Sequence, residues 1–516
     1  MDMYDKITEL YEKRKQIKLG GGEERIRKQH EKGKLTARER IKVLLDKQSF
    51  VEINPFMKQR VCSSCNSIAV DSNGEGVVTG YGKVNGRSIY LFAQDFTVYG
   101  GALGEMHAKK ITAVMDLAAK NRIPIVGLID SGGARIQEGV SSLDGYGQVF
   151  YRNVKYSGLI PQISVIMGPS AGGAVYSPAL TDFIIMVKQT SQMFITGPKV
   201  IEKATGEQIA GEELGGASIH NKQSGNAHFQ TNTEEEALET VRQLIHYLPA
   251  FDQEKAEDIA NYCELSNGSD LIEIVPFDSR SPYDVKKVIN NIVDSGSFFE
   301  VHQHFAKNIV VGFAKINGQT VGMICNQPKY LAGGLDINSS DKAARFIRFC
   351  DAFDIALVTI EDVTGFIPGI KQEHDGIIRH GAKLLYAYAE ATVPKVTVIL
   401  RKAYGGAFVA LNSKSLGADI VYAWPNAEIA VMGAEGAVPI MFANEVDTSH
   451  DPDQLQAEKI RTYLQRFANP YEAASLGMVD DIIDPRDTRL KLIEALEMLQ
   501  NKTEDRPSKK HGNIPI

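Results

Sequence analysis

Glycine-rich turns occur at four places in this 516-residue sequence, and their chemistry would be the binding of negative charge. Each turn follows a short apolar run typical of a buried strand, and we expect a helix to begin directly after it. The first N–H groups of a helix have no intrahelical acceptor and favour anions, while glycine lets a ligand approach the backbone closely. Two such turns side by side would form an oxyanion hole. The four turns contain Gly132-Gly133-Ala134, Gly172-Gly173-Ala174, Gly365-Phe366 and Gly405-Gly406-Ala407.

A competing motif overlaps the second turn. Gly168-Pro-Ser170-Ala-Gly172 matches G-x-S-x-G after a strand, the nucleophile elbow of serine hydrolases. Ser170 is therefore a candidate nucleophile, which gives a serine esterase as the alternative from a different enzyme class. Candidate histidine partners follow it at His220, His228, His374 and His380.

Metal and nucleotide sites have little support in the sequence. The eleven histidines show no metal-ligand spacing, and no G-x-x-x-x-G-K-[ST] phosphate-binding loop occurs. Cys62 and Cys65 form a C-x-x-C pair, but the other three cysteines supply no second pair, and a zinc ribbon needs four ligands. We expect no metal, and five scattered cysteines favour a reducing compartment.

The elements that must position the four turns occur twice along the chain. Asn85-Gly86 and Asn317-Gly318 each lie between two strand-like runs, 232 residues apart, and Asp130 and Asp362 end apolar runs at the same offset. The Gly172 and Gly405 turns follow at an offset of 233. This register pairs Ser170 with Ala403, so the glycine pair recurs and the serine does not. Ordered landmarks at constant spacing indicate an internal duplication.

Each half is predicted to be a β/α unit with buried parallel strands. Asn-Gly between apolar runs predicts a hairpin in each half, over 77–92 and 309–325. In the run from Gly104 to Lys120, apolar residues recur at helical spacing. In the second half we expect Ser339–Asp341 to cap a helix over Lys342–Phe353. The predicted domains are residues 1–258 and 262–503, with a helical preface over residues 1–60.

Composition excludes several classes of protein. Apolar residues make up 43% and charged residues 23%, as in soluble globular proteins. The net charge of −7 argues against nucleic acid as a partner. Residues 1–50 carry +5, which indicates either a solvated helical arm or a basic arm near a phosphate-bearing ligand. The uncharged run Tyr156–Thr181 is interrupted by Pro and Gly, so membrane insertion is not expected, and the charged N-terminus favours a cytoplasmic protein.

Motifs along nearly the whole chain resemble the biotin-dependent acyl-CoA carboxyltransferase family. That family includes the propionyl-CoA carboxylase beta subunits, the transcarboxylase large subunits and the methylmalonyl-CoA decarboxylase alpha subunits. The motifs are Gly20-Gly-Gly-Glu-Glu24, Lys34-Leu-Thr-Ala-Arg-Glu-Arg40, Gln94-Asp-Phe-Thr-Val98, Asp130-Ser-Gly-Gly-Ala-Arg-Ile-Gln-Glu138, Arg401-Lys-Ala-Tyr-Gly-Gly-Ala407, Ala423-Trp-Pro-Asn426 and Lys510-His-Gly-Asn-Ile-Pro515.

The resemblance implies an α/β fold of two tandem crotonase-like (ββα superhelix) domains. The N-terminal half would bind acyl-CoA, and the C-terminal half would bind carboxybiotin. By motif, the hole for the thioester enolate would be formed by Gly133, Ala134, Gly172 and Gly173. The biotin side would comprise Gly365, Phe366, Gly405, Gly406, Ala407 and Val409, of which Gly365, Phe366, Gly406 and Ala407 would form the hole for the biotin enolate.

The family also implies partners. The chain lacks the Met-Lys-Met of biotinyl domains, so a biotin carboxyl carrier protein would supply carboxybiotin in trans. Further partners would be a biotin carboxylase or a decarboxylase membrane subunit. The subunits would form a homohexamer, a trimer of dimers, with each active site between the N half of one subunit and the C half of another.

The substrate and the direction of transfer remain open. We favour carboxyl transfer between carboxybiotin and a short acyl-CoA, with propionyl-CoA and methylmalonyl-CoA preferred. Val409 stands where propionyl-type carboxylases have Asp, and apolar residues there resemble acetyl-CoA carboxylases or decarboxylases; Thr364 replaces the family's usual Pro. The same-family alternative is the alpha subunit of a sodium-pumping decarboxylase. A non-catalytic CoA-binding scaffold is the third alternative, beside the Ser170 esterase.

Overall fold

The computed structural model describes residues 2–59, 74–249 and 270–516. The chain divides into two compact units, residues 1–255 and 256–516. Each unit is built around one eight-stranded, largely parallel sheet with helices packed on it. Both the expected domain boundary near residue 260 and the Cys62–Cys65 pair lie outside the described residues.

The first unit contains ten α-helices and eight strands among its described residues. Its helices are α1 (Met3–Lys18), α2 (Glu23–His30), α3 (Ala37–Leu44), α4 (Glu105–Asn121), α5 (Val140–Lys155), α6 (Gly173–Ala179), α7 (Pro198–Thr205), α8 (Gly211–Gly215), α9 (Ala217–Lys222) and α10 (Glu234–Tyr247). Its strands are β1 (Val51–Ile53), β2 (Val77–Val84), β3 (Arg87–Gln94), β4 (Ile125–Ser131), β5 (Gln162–Ala171), β6 (Phe183–Val187), β7 (Gln192–Phe194) and β8 (Phe229–Thr231).

The second unit repeats the strand pattern. Its helices are α11 (Asp270–Ile274), α12 (Val285–Ile292), α13 (Ile337–Ala352), α14 (Ile370–Asp375), α15 (Ile377–Glu390), α16 (Gly405–Ala410), α17 (Ala434–Met441), α18 (Ala443–Asp447), α19 (Pro452–Arg466), α20 (Pro470–Ser475) and α21 (Thr488–Met498). Its strands are β9 (Phe299–Val301), β10 (Ile309–Ile316), β11 (Gln319–Asn326), β12 (Ala356–Val363), β13 (Lys395–Tyr404), β14 (Ile420–Ala423), β15 (Glu428–Ala430) and β16 (Asp481–Ile482).

The two sheets have the same topology, which confirms the duplication and the α/β class. The first has strand order β1-β2-β3-β4-β5-β6-β8 with β7 beside β5, and the second has β9-β10-β11-β12-β13-β14-β16 with β15 beside β13. Both predicted hairpins are confirmed, since β2 pairs antiparallel with β3 and β10 with β11. Their turns, Asn85-Gly86 and Asn317-Gly318, have positive φ at both residues, as a type I′ turn requires.

Parallel pairing begins after each hairpin and sets the position of the glycine turns. Strand β4 lies parallel to β5, and β12 parallel to β13. Both members of each pair therefore end at the same edge of the sheet, so the loops that follow them are neighbours. Ligands of open α/β sheets bind at this carboxyl edge of the strands. The order of strands thus brings the two turns of each unit together.

Helices on the sheet faces bury the predicted apolar residues. In α4, the residues spaced as one helix face, Ile111, Val114, Met115 and Ala118, are all buried in the core of the first unit. The second unit buries Trp424 together with the apolar residues of β12 and β13 beneath α12 and α21. The run Tyr156–Thr181 contains the buried strand β5 and the short helix α6, as predicted.

Two predicted boundaries were wrong. Helix α13 begins at Ile337 rather than Lys342, because Asp336 caps it and forms a capping box with Ser339. The preface contains a strand, since β1 pairs antiparallel with β2, so it is part of the first sheet as well as a helical segment. Among the described residues, no helix combines the length and apolar character that a bilayer crossing requires.

Candidate functional site

The first turn of the first unit follows β4, where Gly133 has a φ of 100° that disfavours any side chain. The expected helix does not begin there, because α5 starts only at Val140. The turn is instead held by Leu103: the Leu103 N–H donates to the Gly133 carbonyl, and the Arg135 N–H donates to the Leu103 carbonyl, both at 2.9 Å. This short parallel bridge fixes the peptide between Gly133 and Ala134.

Hydrogen bonds already use two of the candidate N–H groups. The Gly133 N–H donates to Ser131 Oγ at 3.2 Å. The Gly172 N–H donates to the carbonyls of Phe194 and Ile195, at 3.3 and 3.2 Å. The Ala134 N–H and the Gly173 N–H, the latter in the first turn of α6, have no acceptor within the described part of the chain. Of the four candidate residues, these two therefore keep an N–H group able to bind an oxyanion.

The two turns that carry these groups lie against each other. A Cβ on Gly133 would stand 3.0 Å from the carbonyl oxygen of Ala171, so the turns after β4 and β5 are in contact. The Tyr146 ring lies against Gly173, where an added Cβ would be only 2.8 Å from the ring. Glycine is thus required at 173 by packing, and the Tyr146 ring covers one side of this peptide.

The second unit repeats this arrangement. The Leu335 N–H donates to the Gly365 carbonyl at 3.0 Å, and the Ile367 N–H donates to the Leu335 carbonyl at 2.8 Å. Gly365 has a φ of 134° and no helix follows directly, so the expected helix after the turn was wrong here too. In both units the Leu bridge, rather than a helix, orients the peptide.

Helix α16 carries the second turn of the candidate oxyanion hole on the biotin side. It begins at Gly405, whose φ is 61°, and a Cβ on Gly406 would meet no atom within 4 Å. The backbone of Gly406 is thus open to a flat ligand, while Ala407 is buried and Val409 is half-buried against the core beneath the helix. No acceptor is seen for the Phe366 N–H in residues 2–59, 74–249 and 270–516. The Gly406 N–H is in the first helical turn, so Phe366 and Gly406 correspond to Ala134 and Gly173.

A buried aspartate precedes the first turn of each unit. Asp130 binds Lys34 Nζ through Oδ1 and Arg40 Nη1 through Oδ2, both at 2.8 Å. Asp362 binds Arg401 Nε at 2.9 Å. Sequence reasoning used both aspartates as landmarks and missed these ion pairs. The signal present was a carboxylate at the end of two apolar strands, which requires a buried cation nearby.

Burial shifts the pKa of several groups near the turns. Desolvation lowers the pKa of the Lys34 ammonium, against the attraction of Asp130. It raises the pKa of the Glu361 carboxyl in β12 well above its usual range, and the neighbouring Asp362 adds to that effect. The Tyr404 hydroxyl, which donates a hydrogen bond to Glu428, has its pKa raised by burial and by that carboxylate.

Ser170 lacks the environment of a nucleophile. Its side chain is fully buried, and its Oγ has no hydrogen-bond partner in the part of the chain that the structure describes. Three of the candidate histidines have other partners: His220 contacts Ser224 and the Met193 carbonyl, His228 accepts from the Ile184 N–H, and His380 contacts Asp341. Among described residues, no group of three or more His, Cys, Asp or Glu side chains is placed to hold a metal ion.

Comparison with known proteins identifies the family to which the chain is similar. Residues 28–514 match the model of the carboxyl transferase domain. The chain is 55% identical, over all of both chains, to the propionyl-CoA carboxylase carboxyltransferase subunit of Haloferax mediterranei. It is 55% identical to the methylmalonyl-CoA decarboxylase subunit alpha of Propionigenium modestum, with 99% of each chain covered.

A solved structure gives the same result for the fold. The transcarboxylase 12S structure, a hexamer described with methylmalonyl-coenzyme A and methylmalonic acid bound, superposes with a TM-score of 0.95 at 50% identity. It covers 100% of this chain and 99% of its own. The tandem crotonase-like fold class is thereby confirmed. Because the family match and these relatives extend over nearly the whole chain, this protein belongs to the biotin-dependent acyl-CoA carboxyltransferase family.

Proposed function

We propose that this chain transfers a carboxyl group between carboxybiotin on a carrier protein and the α-carbon of a short acyl-CoA, with propionyl-CoA and methylmalonyl-CoA as the preferred pair. The observation that carries the proposal is the duplicated pair of unused backbone N–H groups, Ala134 with Gly173 and Phe366 with Gly406. A reaction that develops negative charge on an oxygen of each of two substrates needs two such sites.

In the first unit, the chain's own contribution is to hold a thioester oxygen as it becomes negative. The Ala134 and Gly173 N–H groups are fixed before the substrate arrives, by the Leu103 bridge and by the start of α6. Preorganised donors of this kind stabilise charge that develops in the transition state, and each contributes about 10²–10³ in rate.

In the second unit, the residues fit the ureido oxygen of biotin. Carboxybiotin, when bound, supplies the carboxyl group and the base for the transfer. The Phe366 and Gly406 N–H groups would hold its oxygen, and the open space above Gly406 allows a flat ring to approach the backbone. The Phe366 ring packs on Gly381 of α15, where an added Cβ would be 3.0 Å from the ring, so this turn is anchored to the helix behind it.

The partners follow from the same proposal. A biotin carrier protein would deliver the cofactor, and the chain would assemble as a hexamer, as in the transcarboxylase 12S structure. The arm over residues 1–50 would contribute positive charge toward the CoA phosphates. The domains would be 1–258 on the acyl-CoA side and 262–503 on the biotin side.

A turnover assay tests the proposal. Purified protein with free biotin and methylmalonyl-CoA should form propionyl-CoA only when biotin is present. Formation of propionyl-CoA at the same rate without biotin, or no turnover with methylmalonyl-CoA and malonyl-CoA, would contradict it.

A decarboxylase that works with membrane subunits is a second candidate, favoured by the 55% identity to the methylmalonyl-CoA decarboxylase subunit alpha. The two functions share the same transfer step and differ in their partner proteins. Affinity purification from the native cell separates them: a soluble biotin carboxylase should co-purify in the first case, and an integral-membrane subunit in the second.

A further inference from the structure

The buried ion pairs of Asp130 and Asp362 differ in which part of the chain supplies the cation. In the second unit, Arg401 lies on β13, the strand next to Asp362, so the cation belongs to the repeated fold itself. In the first unit, the residue at the position of Arg401 is Gly168, at the offset of 233. The cations that bind Asp130 instead come from the preface, as Lys34 and Arg40.

Gly168 leaves the space that the preface occupies. A Cβ at this position would lie 1.9 Å from Asp130 Oδ1 and 2.8 Å from Lys34 Nζ. No side chain fits there while Lys34 is bound. In the first unit, a lysine from outside the repeat therefore takes the place of the arginine that the second unit has inside it. Glycine at 168 leaves the space that this lysine needs.

The preface cluster is deeply buried and fully paired. Lys34 is 5% exposed and Arg40 0%, and Gln29 Nε2 adds a 3.1 Å hydrogen bond to Asp130 Oδ2. Arg40 also forms two hydrogen bonds to Glu234 of α10, at 2.7 and 2.5 Å. Two cations thus face two carboxylates. Buried charges of this kind add little net stability, and removal of one partner leaves the other uncompensated.

The position of Asp130 links this cluster to the candidate oxyanion donor. Its own N–H donates to Gln94 Oε1 at 3.2 Å, so both its backbone and its carboxylate are fixed. Ser131, the next residue, accepts the Gly133 N–H through Oγ, and Ala134 follows directly. A shift of Asp130 would therefore move the peptide that carries the Ala134 N–H.

We propose that Lys34 and Arg40 are positioning residues for the acyl-CoA half of the reaction, doing through Asp130 what Arg401 does through Asp362 in the biotin half. The inference rests on the proposed function, because it assigns the first turn to the thioester. It makes the preface a working part of the acyl-CoA site, in addition to its place in the first sheet.

Lys34→Gln tests the inference because it should change the KM for methylmalonyl-CoA and leave the KM for biotin nearly unchanged. In the biotin-dependent decarboxylation of methylmalonyl-CoA, the Ala134 and Gly173 N–H groups would hold the thioester oxygen of the bound substrate as well as that of the transition state. Lys34→Gln should therefore raise the KM and the calorimetric Kd for methylmalonyl-CoA about tenfold and also lower kcat, by less than the factor of about 10²–10³ that loss of an oxyanion donor costs. The KM for free biotin should stay within about twofold, because the other turn is supported by Arg401. Lys34→Arg should recover most of the affinity.

Two matched variants complete the experiment. Arg401→Gln should show the reverse split, with a raised KM for biotin and an unchanged Kd for methylmalonyl-CoA. Lys109→Met removes an exposed ion pair with Glu105 in α4, outside the basic arm, and should change neither constant. If Lys34→Gln and Arg401→Gln raise both KM values alike, or if folded Lys34→Gln changes neither, the inference is overturned.

The design also separates failure of folding and failure of the proposed function. If Lys34→Gln does not fold, Gln29→Met removes the 3.1 Å bond to Asp130 and a 3.3 Å bond to the Leu35 carbonyl, leaves both cations in place, and should raise the same KM by a smaller factor; an unchanged KM would overturn the inference. Absence of biotin-dependent turnover in the wild type would contradict the proposed function. The calorimetric Kd of wild type and Lys34→Gln for methylmalonyl-CoA would then still decide the inference.

Discussion

Glu361 in β12 occupies the position that Ile129 holds in β4, at the offset of 232, and both side chains are buried. Neither oxygen of the Glu361 carboxyl has a hydrogen-bond partner within the described ranges. Burial raises its pKa well above the usual range, with a further contribution from Asp362. The second sheet therefore contains a carboxyl whose neutral form is favoured by burial, at the position where the first sheet has an apolar side chain.

Replacing this carboxyl should stabilise the protein at neutral pH. Because the folded pKa is raised, the wild type has its full stability below the unfolded pKa of 4.5 and loses it as pH rises toward the folded pKa. Glu361→Met removes that loss and should raise the free energy of unfolding at pH 8 by about 1–3 kcal/mol, the cost of an unpaired buried polar group. Urea denaturation at pH 5 and pH 8 measures it.

The difference between variant and wild type should be smaller at pH 5 than at pH 8. Glu361→Gln is the matched control, since an amide has nearly the same shape and does not titrate. Its unfolding free energy should follow pH as Glu361→Met does. Lower stability of Glu361→Met at both pH values would show that the carboxyl has a favourable partner and contradict the prediction.

Lys110 and Lys342 give a second prediction, because these equivalent lysines bind carbonyl groups of equivalent loops. Within the described residues, Lys110 Nζ donates to the carbonyls of Gly74 and Val77, whereas Lys342 Nζ lies within hydrogen-bond distance of four carbonyls, those of His302, Phe305, Ala306 and Ile309. Loss of a donor leaves buried carbonyls unpaired, at about 1–3 kcal/mol for each group that water cannot reach. Lys342→Met should therefore destabilise more than Lys110→Met in thermal unfolding. Equal losses would contradict this account.

The sequence predicted the repeated features of the fold and missed those that differ between the halves. Both Asn-Gly hairpins, the buried face of α4 and the neighbouring strand ends depend on local patterns, which occur twice and reinforce one another. The Lys34–Asp130 pair joins residues 96 positions apart, and no local pattern specifies such a partner. Its traces in the sequence are the carboxylate at the end of an apolar strand and the pairing of Gly168 with Arg401, and neither names the partner.

The sequence predicted which turns form the candidate site, but it did not predict which of their N–H groups are free to donate. In the first unit the sequence predicted four residues, Gly133, Ala134, Gly172 and Gly173. The free N–H groups could be separated from the used ones only by the contacts of Gly133 and Gly172. Sequence reasoning also expected a helix after Gly133 and after Gly365. The Leu103 and Leu335 bridges replace those helices, and a bridge between distant loops leaves no periodic pattern.

Ser170→Ala should have little effect on carboxyl transfer. The Ser170 Oγ is buried and has no hydrogen-bond partner among described residues, so the loss of this hydroxyl removes no hydrogen bond seen in the structure. Biotin-dependent formation of propionyl-CoA should stay within about twofold of the wild type. A fluorophosphonate should leave the wild-type protein unlabelled. Stoichiometric labelling that Ser170→Ala abolishes would support the esterase alternative instead.

Gly406→Val should separate the two halves of the proposed reaction. An added Cβ meets no atom of the protein within 4 Å, so the substitution should fold, with only the modest cost of an exposed surface change. The same side chain would fill the space through which biotin approaches the backbone, so that the biotin oxygen could no longer reach the N–H of residue 406. Loss of the contact with one oxyanion donor costs about 10²–10³ in rate. We expect kcat/KM for free biotin to fall at least about a hundredfold, with an unchanged calorimetric Kd for methylmalonyl-CoA. Gly405→Val is the control for backbone strain, because Gly405 has a φ of 61° that a valine disfavours. Gly405→Val should therefore lower the melting temperature more than Gly406→Val does. If Gly406→Val abolishes acyl-CoA binding in the folded protein, the division of the two substrates between the two units is wrong.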